Sequence, residues 1–281
     1  YEVNNWERVV RAVPELNSPA NRGQACFQGK FGYDYVNDKR RLKKPMVRRD
    51  GDLREATWEE AVAAAAEGLS PHRGSGFALM ASPRNTNEEL YIAQKFARSV
   101  MGSNNVDVAS NDRPGLVEGL HDVFGYFAGT MSTWDLLDSA VIMAVSANIT
   151  EEMNVVGVPI KRAVRSGTQR LIVIDSREVE LTRYAEVWLR PYPGTDAVVI
   201  GGLLRAVVES QSVDHEFLSK HADGWDQLVE SLERFTPEAV LAETGVPVDL
   251  VEHAAQLYAR SNPAAILLGG DSSIEGTRRT I

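Results

Sequence analysis

Residues 139–175 read SAVIMAVSANITEEMNVVGVPIKRAVRSGTQRLIVID, and the architecture expected for the whole chain follows from them. Two short apolar runs, Ser139 to Ala147 and Arg170 to Asp175, flank a polar loop, NITEE, and a segment near Val155 to Ser166 with helical spacing. A strand with one wet face alternates apolar and polar residues, whereas a strand covered on both faces does not. Continuous apolar runs joined through a helix therefore predict parallel strands with helices packed above and below.

The same pattern continues on both sides. After Asp175 come a short helix, a strand EVWLRP (Glu186 to Pro191), a loop YPGTD and a helix AVVIGGLLRAVVE (Ala197 to Glu209). Residues 213–260 read as consecutive helices, including DLVEHAAQLYAR, and AAILLGG reads as a last buried strand. Towards the N terminus, GFALMAS predicts a strand, PRNTNEE a loop, and Glu88 to Met101 a helix. Thr57, three residues before Glu60, has the spacing of a capping box for the helix in ATWEEAVAAAAEGL, with Gly68 near its end. From Tyr1 to Met46 the chain is polar and turn-rich, with a short hairpin expected around YEVNNWERVVRAV and its turn at Asn4 and Asn5. The expected fold class is α/β, with open parallel sheets, helices on both faces and a small irregular N-terminal lobe.

With 30 Lys and Arg against 39 Asp and Glu in 281 residues, the net charge of -9 argues against a nucleic-acid partner. The basic run NDKRRLKKPMVRR reads as a solvated turn between elements. One cysteine makes no internal disulfide, so packing must hold the fold, which permits a reducing compartment; the expected location is cytoplasmic, with export of the parent protein the open alternative. No apolar run reaches the ~18 residues of a membrane span. The first residues hold neither an initiator Met nor a secretion signal, and the chain is expected to be a piece of a longer one.

In open parallel sheets, ligands bind beyond the carboxyl ends of the strands. The loops there carry Asn148, Thr150 and Glu151, then Asp175 and Arg177, then Pro193, Gly194, Thr195 and Asp196. A carboxylate at a strand end accepts from ribose hydroxyls or a guanine edge, and the helix starts that follow offer N–H groups to phosphate, which suits a nucleotide. Each residue also has a plainer role open to it: Asp196 as a helix cap, Asp175 in an Asx-turn. Neither G-x-G-x-x-G nor a Walker A motif occurs, which disfavours a simple NAD or P-loop site. There is no G-x-S-x-G elbow, and the five histidines have no metal-ligand spacing.

SPANRGQACFQGKFGYDYVND, ATWEEAV, SPRNTNEELYIAQKFARSVMGSNNVD, IKRAV, LIVIDSREVEL, PGTD and FTPEAVLAETGVP follow one another along nearly the whole chain. Together they resemble the molybdopterin oxidoreductases (the DMSO reductase superfamily), in particular the catalytic alpha subunits of formate dehydrogenases. The resemblance implies a bis(molybdopterin guanine dinucleotide) cofactor carrying molybdenum or tungsten, matched here by Asn148, Glu151, Asp175, Arg177, Pro193, Gly194 and Asp196. It implies a [4Fe–4S] cluster, with Cys26 in the place of the fourth ligand and three partners upstream of Tyr1.

It divides the chain into residues 1–46, a remnant of the iron–sulfur lobe; 47–110, the first half of a split pterin-binding domain; and 111–281, a second α/β domain binding a molybdopterin guanine dinucleotide. The implied reaction is oxidation of formate, or of another small anionic substrate, with electrons passing to electron-transfer subunits or an NAD-reducing partner.

Two departures stand out. Gln28 takes the place of the family's Lys between cluster and pterin, and a neutral amide offers a hydrogen bond but no cation. Where formate dehydrogenases carry Cys or selenocysteine and then His, this chain reads VASNDRPG. Asp112 would then be the oxygen ligand to the metal, and Arg113 would orient an anionic substrate, although Asn-Asp-Arg-Pro-Gly is also the composition of a surface turn. An oxyanion reductase of the same family, or a non-catalytic iron–sulfur relative of the complex I large-subunit type, are the alternatives.

Overall fold

The computed structural model describes residues 1–108, 114–126 and 128–269. The chain divides into two compact units: Tyr1–Val13 with Phe27–Asp112, and Pro14–Cys26 with Arg113–Ile281.

The first unit is built from local pieces. Strands β1 (Glu2–Val3) and β2 (Val9–Arg11) form the expected antiparallel hairpin. Asn4 turns it, its Oδ1 accepting from the backbone N–H of Trp6 and of Arg8, each at 3.0 Å. Helices α1 (Phe27–Phe31) and α2 (Asp34–Asn37) follow, and Asn37 exchanges two hydrogen bonds with the backbone of Val9. The basic run is not turn throughout: its last residues form β3 (Met46–Arg49), paired with β4 (Asp52–Glu55). The turn between them is Asp50-Gly51, both with positive φ, the pair that matches the twist of a tight hairpin.

Helix α3 (Trp58–Leu69) carries the predicted capping box at Thr57 and Glu60. Strand β5 (Leu79–Ala81) runs into α4 (Asn87–Lys95), which has a second capping box at Thr86 and Glu89 and continues as a π-helical turn over Phe96–Val100. Strand β6 (Val106–Val108) pairs parallel with β5 and is too short to have been read from periodicity.

The second unit holds the expected doubly covered sheet. Its elements are α5 (Pro114–Phe124), β7 (Val141–Val145), α6 (Ile149–Glu152), α7 (Asn154–Arg165), β8 (Arg170–Ile174), a 3-10 turn over Glu180–Tyr184, β9 (Val187–Leu189), α8 (Asp196–Glu209), α9 (His215–His221), α10 (Trp225–Ser231), α11 (Pro237–Thr244), α12 (Val248–Ala259) and β10 (Ala264–Leu268). The strands lie in the order β10-β7-β8-β9, all parallel.

Alternate side chains feed two cores. Val141, Met143, Val145, Ile172, Ile174, Val187 and Leu189 pack against α8, α11 and α12. Ile142, Ala144, Leu171 and Val173 pack against Val156 and Ile160 of α7 and Leu181 of the 3-10 turn. Both faces of the central strands are therefore dry, which is why they read as unbroken apolar runs. No helix among the described residues is long and apolar enough to cross a membrane.

Helix α7 packs hard against the chain that leaves β7. A Cβ placed on Gly157 would lie 2.6 Å from the Ile149 carbonyl oxygen and 2.9 Å from the Thr150 Cα, both backbone atoms that cannot swing aside. Gly157→Ala is therefore expected to destabilise the second unit by about 2 kcal/mol and to lower its thermal midpoint by roughly 4–8 °C. A melt of the variant unchanged from native would show that this approach is slack.

Candidate functional site

The chain crosses the sheet from β7 through β8 to β9 and then returns to place β10 on the other side of β7. At that reversal the loops leave in opposite directions, and the crevice beyond the strand ends is where α/β sheets bind ligands. Ser146, the first residue past β7, has φ +47°, a left-handed conformation that a side chain tolerates at a cost. Its N–H donates to the Ile174 carbonyl at 2.8 Å, and Gly269, just past β10, donates its N–H to the Val145 carbonyl at 2.8 Å. Gly269 lies so close that a Cβ there would overlap the Ser146 carbonyl oxygen. Only glycine fits.

Asn148 is buried at the start of α6; its backbone carbonyl accepts from the N–H groups of Glu151 and Glu152, and its Oδ1 from the Thr150 hydroxyl at 3.4 Å. Glu151 points to solvent.

Past β8, Asp175 is 3% exposed. Its Oδ1 accepts from the Arg177 N–H at 2.8 Å, the Asx-turn foreseen as one of its roles, and the Arg177 Nε is 3.7 Å away. Its Oδ2 has no hydrogen-bond donor among the described residues. A buried carboxylate oxygen without a partner is costly in a folded protein, and it marks a place for a donor from outside.

Past β9, Pro193 and Gly194 form an exposed turn, Gly194 with φ +83°. Thr195 holds the N-cap position of α8, but its hydroxyl donates back to the Tyr192 carbonyl at 2.8 Å. Asp196, the first residue of α8, is 8% exposed. Burial pushes its carboxyl above the ordinary carboxylate range. Hydrogen bonds from its own backbone N–H and the Ser146 side chain hold it down, and the neighbouring Asp175 charge adds to the rise.

The structure thus brings Asp175, Asp196 and Ser146 together at the carboxyl edge of the sheet. It places Arg177, Pro193, Gly194 and Glu151 on the solvent side of the same loops. Asp112 and Arg113 lie outside the described residues.

Cys26 is half-buried at the end of the segment that belongs to the second unit. That segment is held through Trp134, whose Nε1 donates to the Ala20 carbonyl at 3.1 Å and whose ring carries the Arg22 guanidinium at 4.8 Å. Gln28 belongs to the first unit, on α1, with its side chain exposed. No group of three or more His, Cys, Asp or Glu able to hold a metal occurs among the described residues.

Sequence reasoning did not single out Ser146, Trp188 or Arg190. The Trp188 Nε1 donates to the Asp175 carbonyl at 2.9 Å and the Arg190 Nε to the Ser176 carbonyl at 3.2 Å. In the sequence, Trp188 is one more apolar strand residue, and nothing local signals that its N–H reaches the next strand's loop.

Residues 41–274 match the molybdopterin oxidoreductase family. The F420-dependent formate dehydrogenase 1 subunit alpha of Methanococcus maripaludis is 34% identical over 260 residues, covering 92% of this chain and 38% of that relative. A putative formate dehydrogenase of Staphylococcus haemolyticus is 32% identical over 263 residues, 92% of this chain and 27% of the relative. The chain therefore spans less than two fifths of either relative. Among solved structures, the acetylene hydratase from Pelobacter acetylenicus aligns with a TM-score of 0.72 at 20% identity, over 93% of this chain and 37% of that one. At that identity the likeness is one of fold.

Proposed function

This chain belongs to the molybdopterin oxidoreductase family, and from that membership we propose that it is part of a molybdenum- or tungsten-dependent formate dehydrogenase holding bis(molybdopterin guanine dinucleotide). The observation that carries the reading is the buried pair Asp175 and Asp196, with one carboxylate oxygen left open. A guanine edge presents the matching donors, a ring N–H beside an exocyclic amino group, so the residues fit the nucleotide end of that cofactor. Asn148 and the Pro193-Gly194 turn would line the approach, with Glu151 at its rim. Arg177, with its guanidinium half-exposed beside Asp175, suits a phosphate oxygen.

The bound metal–pterin supplies the two-electron redox chemistry. This chain's part is to hold and orient. Arg113 is proposed to orient the formate carboxylate and Asp112 to offer a carboxylate oxygen to the metal. Cys26 is proposed as one thiolate of a [4Fe–4S] cluster, with Gln28 between cluster and pterin. A cluster takes four ligands, and these 281 residues hold one cysteine, so they do not make that site alone.

Residues 1–46 are proposed as part of the iron–sulfur lobe, 47–110 as the first half of a pterin-binding domain, and 111–281 as a second nucleotide-binding domain. The middle assignment is supported by α3 and α4, which bury no residue and leave Trp58, Val62, Tyr91 and Ile92 exposed. Electron-transfer subunits or an NAD-reducing partner, and a cytoplasmic location, belong to the same proposal.

The test is metal analysis of the full-length protein, purified without oxygen, for molybdenum, tungsten and iron, with fluorescence of oxidised pterin and formate-dependent dye reduction on the same sample. Stoichiometric molybdenum or tungsten with pterin, and turnover of formate, are expected. Iron without either metal would overturn the catalytic reading in favour of an electron-relay relative. Metal and pterin with turnover of an oxyanion such as nitrate, but not of formate, would overturn the substrate.

A further inference from the structure

We infer that Trp188, on the edge strand β9, and Arg190, just past its end, are positioning residues that hold the Asp175 loop so that its open carboxylate oxygen reads the exocyclic amino group of a guanine. The inference rests on the guanine reading of the strand-end carboxylates and adds to it the residues that set its selectivity.

The start of the loop after β8 is fixed at three backbone atoms of Asp175 and Ser176. The Asp175 N–H donates to the Leu189 carbonyl at 3.2 Å, its carbonyl accepts from the Trp188 indole at 2.9 Å, and the next carbonyl, that of Ser176, accepts from Arg190 Nε at 3.2 Å. Arg190 follows the strand directly, and its guanidinium lies 5.2 Å from the centre of the Trp188 ring. The two side chains therefore brace each other while each holds one peptide carbonyl. Oδ1 is taken by the Arg177 N–H, so the carboxyl cannot turn without breaking that bond. Oδ2 is what remains, and a loop free to rotate would turn it to water. Held as it is, the loop keeps an acceptor aimed and dry, and such a site discriminates against a ligand lacking the donor.

Guanine and hypoxanthine differ by that amino group alone, so GDP and IDP are the probes. Full-length protein made without cofactor, in cells blocked in pterin synthesis, is titrated calorimetrically with each. Native protein is expected to prefer GDP by about tenfold or more. Trp188→Phe keeps an aromatic ring, though a smaller one, and removes the N–H, and the preference is expected to fall about fivefold, the worth of one hydrogen bond. Arg190→Met, at an exposed position, is expected to lower it about threefold without loss of folding.

Variants that keep the native GDP-to-IDP ratio would overturn the positioning role while leaving the guanine reading intact. A native protein that does not distinguish the two would overturn the guanine reading itself. If Trp188→Phe does not melt cooperatively, Arg190→Met decides. General loosening of the fold would lower both affinities and leave their ratio in place.

Discussion

Asp196→Asn is expected to lower the affinity of the cofactor-free full-length protein for GDP about a hundredfold, since an acceptor facing the base becomes a donor in a dry site. The same change is expected to stabilise the protein at neutral pH, raising the thermal midpoint by about 2–4 °C. The two effects have one cause. Burial raises the Asp196 carboxyl in the folded state, so folding favours its protonated form and the charge is a burden near pH 7. The folded state then holds more protons than the unfolded one between the ordinary Asp value, about 3.9, and the raised folded value, and stability attached to this group falls as pH rises through that window. Below the window native and Asn variant should converge. Melts from about pH 3.5 to 7.5, run beside GDP titrations, check both halves. Weaker binding with no gain in stability would mean that Asp196 is already satisfied in the free protein.

Ile172→Ala is expected to have the largest effect on stability, about 3–5 kcal/mol, or roughly 10 °C in the midpoint. Ile172 has no exposed surface, sits on an inner strand, and faces the core formed with α8 and α12. A truncation there leaves a cavity that the sheet cannot close, because neighbouring strands are fixed on both sides by ladder hydrogen bonds. Ile266→Ala, on β10 and 47% exposed, removes the same atoms and is expected to cost under about 1 kcal/mol. Equal losses at the two positions would contradict the placement of the core.

Much of this fold is legible in the sequence. The runs VIMAV and RLIVI became β7 and β8 because side chains that need cover on both faces show it in composition, and the capping box at Thr57 and Glu60 is a local signal of hydroxyl and carboxylate side chains meeting free N–H groups. The Asp50-Gly51 hairpin was equally local and was hidden by the basic residues around it. Strand β6 was not legible, since three residues carry no period.

Local composition carried the α/β class, the alternation of strands and helices in the second unit, and the loops at which chemistry could sit. Each of those depends on a residue's own polarity or on neighbours a few positions away. That Asp175 and Asp196 share one buried edge, that Ser146 takes a left-handed turn beside Gly269, and that a tryptophan on the neighbouring strand pins the loop carrying an unsatisfied oxygen follow from the packing of distant segments. Burial, the proximity of two charges and the absence of a donor are properties of what surrounds an atom, and strand order sets those surroundings.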